Sequence, residues 1–381
     1  MAPVSLLLVA LASFGGPLAL AGLYGPQAVD DVTASSGWVV IAAIVAFAAL
    51  LAIWLRFSKH VTSPAGLSAF VMSGLGRPAG IVHAAVWTGS YALYLTYTSA
   101  YVVYDLLPVA TPSVHDARPW LAIVLPLVIA ALLLGGRAPM LSAIGIIAVA
   151  QIALLVITAA ISVSHTPSAH AFTSQAAADD SFKSAADVGG LFVCGSLPLF
   201  LGGEVRNAVA AMRRSLLLAF GVTALLALLV IYPYAAYPYY THQALPAMTV
   251  IDSESSHALA IAVGLGIAAS VVGVMLVEGL ALTRLVHAIT GRSPRLVAVV
   301  VAAALAVAGP ISLLDPNRFY DDLLRPSLIL LWIAQFAVVV AFAAFVVRRR
   351  LRWWVWLPVT VVAGALTGYA LFASIQGGGS T

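Results

Sequence analysis

The chain has 381 residues, of which 62% are hydrophobic and 8% are charged, and its mean hydropathy is +1.05. So few charges cannot cover the surface of a soluble domain, and they exclude disorder, coiled coils and collagen-like repeats as well. The apolar runs are long and rich in Ala, Leu and Val, whereas a β-barrel has short alternating segments. The composition therefore predicts an all-α integral membrane protein that crosses the bilayer many times.

The net charge of +4 does not indicate nucleic-acid binding, because the basic residues lie in short loops between the apolar runs. The single cysteine, Cys194, excludes an internal disulfide and a cysteine-rich metal site. The apolar N-terminus lacks a basic region, so we expect a first helix that stays in place and not a cleaved signal peptide. The length accommodates about eleven spans of roughly 20 residues and no soluble catalytic domain.

Eleven apolar segments are predicted to be membrane helices, numbered here in chain order. They are helix 1 (4–23), helix 2 (37–57), helix 3 (80–108), helix 4 (119–135), helix 5 (140–164), helix 6 (188–203), helix 7 (215–237), helix 8 (258–288), helix 9 (296–314), helix 10 (324–347) and helix 11 (353–374). A flexible tail is expected at 377–381.

The charges in the loops predict a cytoplasmic N-terminus and an external C-terminus in the plasma (inner) membrane, because basic loops stay inside. With this orientation all but four of the 18 lysines and arginines face the cytoplasm. The four exceptions are Arg118, Lys183, Arg318 and Arg325. All but two of the 14 acids face outward, and the exceptions are Glu204 and Glu278.

Two helices are interrupted in similar ways. Helix 1 contains residues 13–17 (SFGGP) and helix 6 contains residues 194–198 (CGSLP). Glycine and proline both weaken a helix, and freed backbone groups in a membrane need a protein partner or a water-filled cavity. Two ordinary proline kinks are the alternative. The matched positions favour two inverted five-helix repeats, 1–165 and 166–350, followed by an additional helix and tail, 351–381. A substrate site is then expected between the two broken helices.

Three segments resemble the amino acid–polyamine–organocation (APC) family of secondary transporters. They are SPAGLSAF at 63–70 with GLGRP at 74–78, GEVRNA at 203–208, and TRLVHA at 283–288. The chain departs from the family pattern in helix 1 (Gly15-Gly16-Pro17) and helix 6 (Gly195-Ser196-Leu197), lacks a proline after Asn207, and has no twelfth helix.

The resemblance implies a leucine-transporter-like fold and no enzyme activity or cofactor. It implies transport of an amino acid or related amine by alternating access, in which helices 1, 2, 6 and 7 rock against helices 3, 4, 8 and 9. Coupling to protons is the first expectation, and exchange or coupling to sodium is the second. A sensor or membrane subunit with the same fold is the alternative function, and an intramembrane enzyme would need a second catalytic group beside Glu278. The sequence does not predict an oligomeric state.

The two breaks predict the substrate-binding residues. Exposed N–H groups around Ser13, Gly15 and Gly16 suit a carboxylate, because they begin the half-helix that follows. Carbonyls near Phe192 and Cys194, together with Gly195 and Ser196, suit an ammonium group. Phe192 is expected to act as an aromatic lid or else to face lipid. Of the five tyrosines along helix 3, Tyr97 is predicted as a wall of the pocket.

Glu278 and Gln151 are the candidate coupling residues. Glu278 is the one acid deep in a span, where an ionised and unpaired carboxylate is costly, so it could carry a proton, bind a cation or pair with an amine. The structural alternatives are an ion pair with an arginine on a neighbouring helix and a carboxylate that reaches toward the inner interface. Some proton-coupled relatives have a lysine near the position of Gln151, and the glutamine cannot titrate, so we expect an interhelical hydrogen bond there. The histidines lack metal-ligand spacing.

Overall fold

The computed structural model describes residues 1–164, 171–173, 176–205 and 207–376. His165, His170, Arg206 and the tail at 377–381 lie outside the described residues. Eleven helices of span length, α1 to α11, make up most of the described chain. They are α1 (Pro3–Ala28), α2 (Ser36–Ser58), α3 (Arg77–Tyr101, continued by short segments to Ala110), α4 (Arg118–Leu134), α5 (Arg137–Ser164), α6 (Ala178–Glu204), α7 (Ala208–Ile231), α8 (His257–Thr290), α9 (Pro294–Ser312), α10 (Pro316–Arg348) and α11 (Trp353–Gln376).

Ten of these helices are long and apolar enough to cross a membrane. The remaining one, α3, is equally long but carries five tyrosines together with serines and threonines. Most of these polar residues are buried or half-buried against neighbouring helices, so α3 is covered by protein along much of its length. The predicted all-α membrane fold is confirmed.

The main difference from the predicted boundaries is the start of α6. The helix begins at Ala178 and not near residue 188. Its first half carries Asp179, Asp180 and Lys183, and these charges obscure the apolar signal. Two short helices, Leu67–Leu75 and Pro246–Glu254, were not predicted, because each is too short to give a clear helical pattern.

The packing places α1, α6 and α8 in the centre of the bundle, where α6 and α8 are the most buried helices. The broken helix α1 contacts α5, α6, α7 and α8. α3 packs against α8 and α10. α4 and α9 form a pair at the periphery, and α11 lies outside α10 and α2.

Candidate functional site

The break in α1 is a glycine turn. The first half ends at Ser13, and the second half begins at Pro17. Gly15 and Gly16 have φ values of 67° and 56°, in the region that favours glycine. The Gly15 N–H donates to the Ser13 carbonyl (2.7 Å), and the Ser13 hydroxyl donates to the Ala10 carbonyl (2.9 Å). The Gly16 N–H has no hydrogen-bond partner within the described chain.

The break in α6 lies a few residues before the predicted one. The α-helix ends at Gly190, and a 3-10 helix runs from Val193 to Glu204. The predicted segment, Cys194 to Pro198, therefore lies within the tighter helix and not at the break itself. A 3-10 helix so long is unusual, and here it contains a proline that cannot donate a backbone hydrogen bond.

The two breaks meet. A Cβ atom added to Gly15 would lie 2.5 Å from the Leu191 carbonyl oxygen, which belongs to the break in α6. An added Cβ at Gly16 would lie 2.6 Å from the Ser270 hydroxyl oxygen of α8. Only glycine permits these approaches, so the sequence at the first break allows α1, α6 and α8 to come together at one point.

An aromatic group fills the space beside the breaks. Phe14 and Phe192 face each other with ring centroids 6.5 Å apart, and both pack on Phe47 and Phe220 at 5.4 to 6.2 Å. An added Cβ at Gly195 would lie 2.2 Å from the Phe14 ring. Phe192 is therefore buried among aromatic rings, and the expectation that it could face lipid is wrong.

Buried polar side chains from four helices meet next to Gly195. This central polar cluster consists of Tyr91 of α3, Cys194 and Ser196 of α6, Glu278 of α8 and Gln335 of α10. The Cys194 thiol donates to Oε1 of Glu278 at 3.9 Å. Nε2 of Gln335 donates to the Ser196 hydroxyl at 3.5 Å, and that hydroxyl donates to the Val193 carbonyl at 3.0 Å.

Two polar atoms of this cluster, Oε2 of Glu278 and Oε1 of Gln335, are buried without a hydrogen-bond partner among the described residues. A buried polar atom without a partner costs about 1–3 kcal/mol. Two such atoms close together therefore fit a site that receives a ligand, water or a proton. Glu278 is fully buried and forms no ion pair with any described arginine or lysine, so the ion-pair alternative for it is not found among these residues.

A second polar contact joins α1, α5 and α8. The Ser270 hydroxyl donates to Oε1 of Gln151, and it accepts from the Ala19 N–H at 3.3 Å. Gln151 is fully buried, and its Nε2 has no partner among the described residues. The expected interhelical hydrogen bond is present, and its place is directly behind the Gly16 turn.

Tyr97 lies between the central polar cluster and a second group of tyrosines. It lies six residues after Tyr91, about 9 Å along α3. Its ring packs edge-on against Tyr94 and Tyr320, each at 5.3 Å, and Tyr320 also stacks on Tyr101 at 5.2 Å. Glu278 and Cys194 are also among the groups near Tyr97, so its place as a wall of the pocket stays a prediction.

Glu204 joins three helices at one end of the bundle. Its Oε1 accepts from Nε of Arg284 at the end of α8, and its Oε2 lies 3.2 Å from Nη1 of Arg137 at the start of α5. Glu204 ends α6, so this end cluster of Arg137, Glu204 and Arg284 connects α5, α6 and α8. Arg206, which follows in the next loop, lies outside the described residues.

The chain was compared with known proteins on sequence and on structure. No protein family and no curated sequence matches it. It is similar to the crystal structure of MhsT in complex with L-phenylalanine, with a TM-score of 0.68 and 12% identity over 99% of both chains. The chain has a leucine-transporter-like fold.

It is also similar to the Eremococcus coleocola manganese transporter in complex with an aromatic bis-isothiourea substituted compound. That match has a TM-score of 0.58 and 13% identity, and it covers 97% of this chain and 87% of the other. At these identities the likeness establishes the fold, including the broken first and sixth helices. The resemblance to the APC family and the repeat boundaries, 1–165 and 166–350, stay predictions.

Two residues of the central polar cluster were not predicted as site residues. Gln335 is an uncharged amide in an otherwise apolar stretch of α10, and such residues in membrane helices often face the bundle interior. The isolated glutamine could therefore have been predicted as a site residue from the sequence. Tyr91 was one of five tyrosines along helix 3, and only the packing distinguishes it from Tyr97.

Proposed function

We propose that the chain is a secondary transporter of a small amine-bearing solute, an amino acid or a related amine, working by alternating access. The observation that carries the proposal is the meeting of the two broken helices beside a buried cluster of unpaired polar atoms. Broken helices at mid-membrane supply backbone groups for binding, and unpaired buried atoms are satisfied when a polar solute arrives.

The chemistry of the two parts suits the two ends of an amino acid. The Gly16 N–H begins the second half of α1 and can donate to a carboxylate. The free oxygens of Glu278 and Gln335 are acceptors, as an ammonium group requires. Gly195 lies against Phe14 and is flanked in the chain by Cys194 and Ser196, so the glycine turn and the central polar cluster are adjacent.

One of the two structural neighbours was solved with a ligand of this substrate class. MhsT was solved with L-phenylalanine, and the second neighbour transports manganese. The central polar cluster combines one carboxylate with a thiol, a phenol, a hydroxyl and an amide, a set that suits hydrogen bonding to an ammonium group better than binding of a hard metal ion. An amine is therefore the proposed cargo.

Proton coupling through Glu278 is the proposed energy source. The carboxyl group is fully buried and free of ion pairs in the described chain, so its neutral form is favoured there. Access to water from one side would allow it to release a proton. Sodium coupling stays the second candidate, because the Oε1 atom of Gln151 and the Ser270 hydroxyl lie together between α1, α5 and α8.

A binding screen followed by a flux measurement tests the proposal. The purified protein is heated with single amino acids and polyamines, and a specific ligand raises the melting temperature by binding linkage. The identified ligand is then measured for uptake into proteoliposomes with and without a pH gradient. Stabilisation together with uptake supports a transporter. Stabilisation without any flux or exchange would favour the sensor, and neither effect with any amine would contradict the proposed substrate class.

A further inference from the structure

A groove on the outside of the bundle is separate from the central polar cluster. It lies between α3, α8 and α9 and has a volume of about 390 Å³. Residues 296–305 of α9 form one wall, which is about 14 Å long at about 1.5 Å per residue. Half of the hydrocarbon core of a bilayer is about 15 Å thick. The groove is therefore about as long as one leaflet is thick.

The walls of the groove are mostly apolar, and two of its three threonines bond within their own helices. The Thr96 hydroxyl donates to the Ala92 carbonyl, and the Thr290 hydroxyl donates to the Val286 carbonyl, each at 2.7 Å. Both side chains thus satisfy their hydroxyls within their own helix. Apart from Thr88 and Arg292, these walls offer a polar solute few groups to bind, whereas a hydrocarbon chain would fit.

One end of the groove is positively charged. Arg292 lines the groove just after the end of α8, and Arg295 begins the first turn of α9 close by. Neither arginine has an acidic partner in the part of the chain that the structure describes. The backbone of Arg292 is held in place, because the His287 ring donates to its carbonyl at 2.7 Å and its N–H donates to the Thr290 hydroxyl at 3.2 Å.

We propose that this groove binds an anionic phospholipid, with one acyl chain along α9 and the phosphate group at Arg292. The groove opens toward the lipid side, since Ala92 and Val300 on its rim are exposed. A bilayer offers amphiphiles with one charged end, and the groove has one charged end and an apolar length that matches one leaflet. Basic sites at the cytoplasmic ends of membrane helices attract anionic headgroups. The proposal does not depend on the transported substrate.

Native mass spectrometry of the delipidated full chain in detergent tests the proposal. Phosphatidylglycerol and phosphatidylcholine with identical acyl chains are added in separate experiments. We expect about fivefold tighter binding of phosphatidylglycerol, the effect of about one basic residue near an anionic headgroup. Arg292→Gln should remove the preference, and Arg292→Lys should restore most of it. Val300→Trp should block the groove and reduce the binding of both lipids.

Two matched variants control for charge and bulk. Arg213→Gln removes an exposed arginine elsewhere, and Leu225→Trp adds bulk on α7, where Leu225 is 58% exposed against 61% for Val300. Both should bind lipid like the wild type. The proposal is overturned if the wild type shows no preference, if the preference persists in Arg292→Gln, or if Val300→Trp binds both lipids as tightly as the wild type. It is also overturned if inorganic phosphate stabilises the protein as well as phosphatidylglycerol does.

Discussion

The carboxyl group of Glu278 is fully buried between α6 and α8, with the Cys194 thiol at 3.9 Å from one oxygen and no partner for the other. An ionised carboxylate in that place is costly, and a protonated one can donate a hydrogen bond. A group that exchanges between these forms as access alternates could couple proton movement to transport. A side chain that only supports the packing has no need to change its protonation.

Glu278→Gln keeps the shape of the side chain but cannot release a proton. We expect this variant to lose accumulation driven by a pH gradient while it keeps substrate binding and exchange. Uptake into proteoliposomes with and without the gradient measures accumulation, and the thermal shift measures substrate binding. The residual activity should also vary less with pH than that of the wild type.

Asp322→Asn provides the matched control, because Asp322 is an exposed acid near the start of α10. It should behave like the wild type in both measurements. A well-folded Glu278→Gln protein with unchanged gradient-driven accumulation would remove Glu278 from the coupling mechanism. Poor expression with ordinary pH dependence would assign it a structural role.

At the scale of the helices, the glycines at the breaks set how closely α1, α6 and α8 approach. Gly16→Leu puts a side chain on a residue with φ of 56° and within 2.6 Å of Ser270. Strain and overpacking of this kind each cost about 1–3 kcal/mol. We expect substrate binding to be lost in the thermal-shift assay while expression stays largely intact. Gly195→Leu should act similarly by displacing Phe14.

Gly221→Leu is the control for both variants. It places the same side chain on α7, where an added Cβ meets nothing within 4 Å. Its substrate binding should match that of the wild type. Full binding or uptake in both Gly16→Leu and Gly195→Leu would place the pocket elsewhere.

The end cluster of Arg137, Glu204 and Arg284 holds α5, α6 and α8 together at the end with most basic loops. Glu204→Gln removes the charge that both arginines share, at a cost of about 1 kcal/mol for such partly exposed pairs. We expect this end to open more often. The readout is the labelling rate of Cys194, the only cysteine, by a thiol reagent.

Cys194 is buried in the closed bundle, so its labelling reports opening. Labelling should be faster in Glu204→Gln than in the wild type or in Asp322→Asn, and substrate should slow it. Equal rates in the three proteins would mean that the end cluster does not limit access to the centre.

The helices show how far the sequence could predict the fold. Long apolar runs and loop charges predict ten of the spans well, because a membrane helix must satisfy its backbone internally and be apolar outside. They fail at the start of α6, where charged residues precede the break. The glycine turn of α1 was predictable from Gly15, Gly16 and Pro17. The partners Leu191 and Ser270 were not, since these contacts join residues distant in the chain.

In the whole molecule, α1, α6 and α8 form a buried centre to which α10 contributes Gln335, and α4, α9 and α11 lie at the periphery. Close approaches that only glycine permits occur at that centre, where the two breaks meet. They occur at the periphery as well, where an added Cβ at Gly309 of α9 would lie 2.3 Å from the Ala122 carbonyl oxygen of α4. Glycine contacts therefore bring helices together in both parts of the bundle.

The orientation of the whole bundle follows from the charges at its two ends. If all eleven helices cross the membrane in chain order, one end of the bundle carries Arg137, Arg284 and Arg292. The opposite end carries Asp30, Asp252 and Asp322. Basic ends stay in the cytoplasm, so the N-terminus is predicted inside and the C-terminus outside.

Reporter fusions test this orientation directly. A reporter inserted near Ser58, at the end of α2, should be active only in the cytoplasm, and one fused after Thr381 should be active only outside. The odd number of spans places the two sites on opposite sides, so one miscounted helix would put both reporters on the same side. The α3 helix is the critical case, because it is the least apolar of the eleven. Reversed signals at both sites would mean that the charge rule does not orient this chain, and equal signals would mean that α3 or another helix does not cross the membrane.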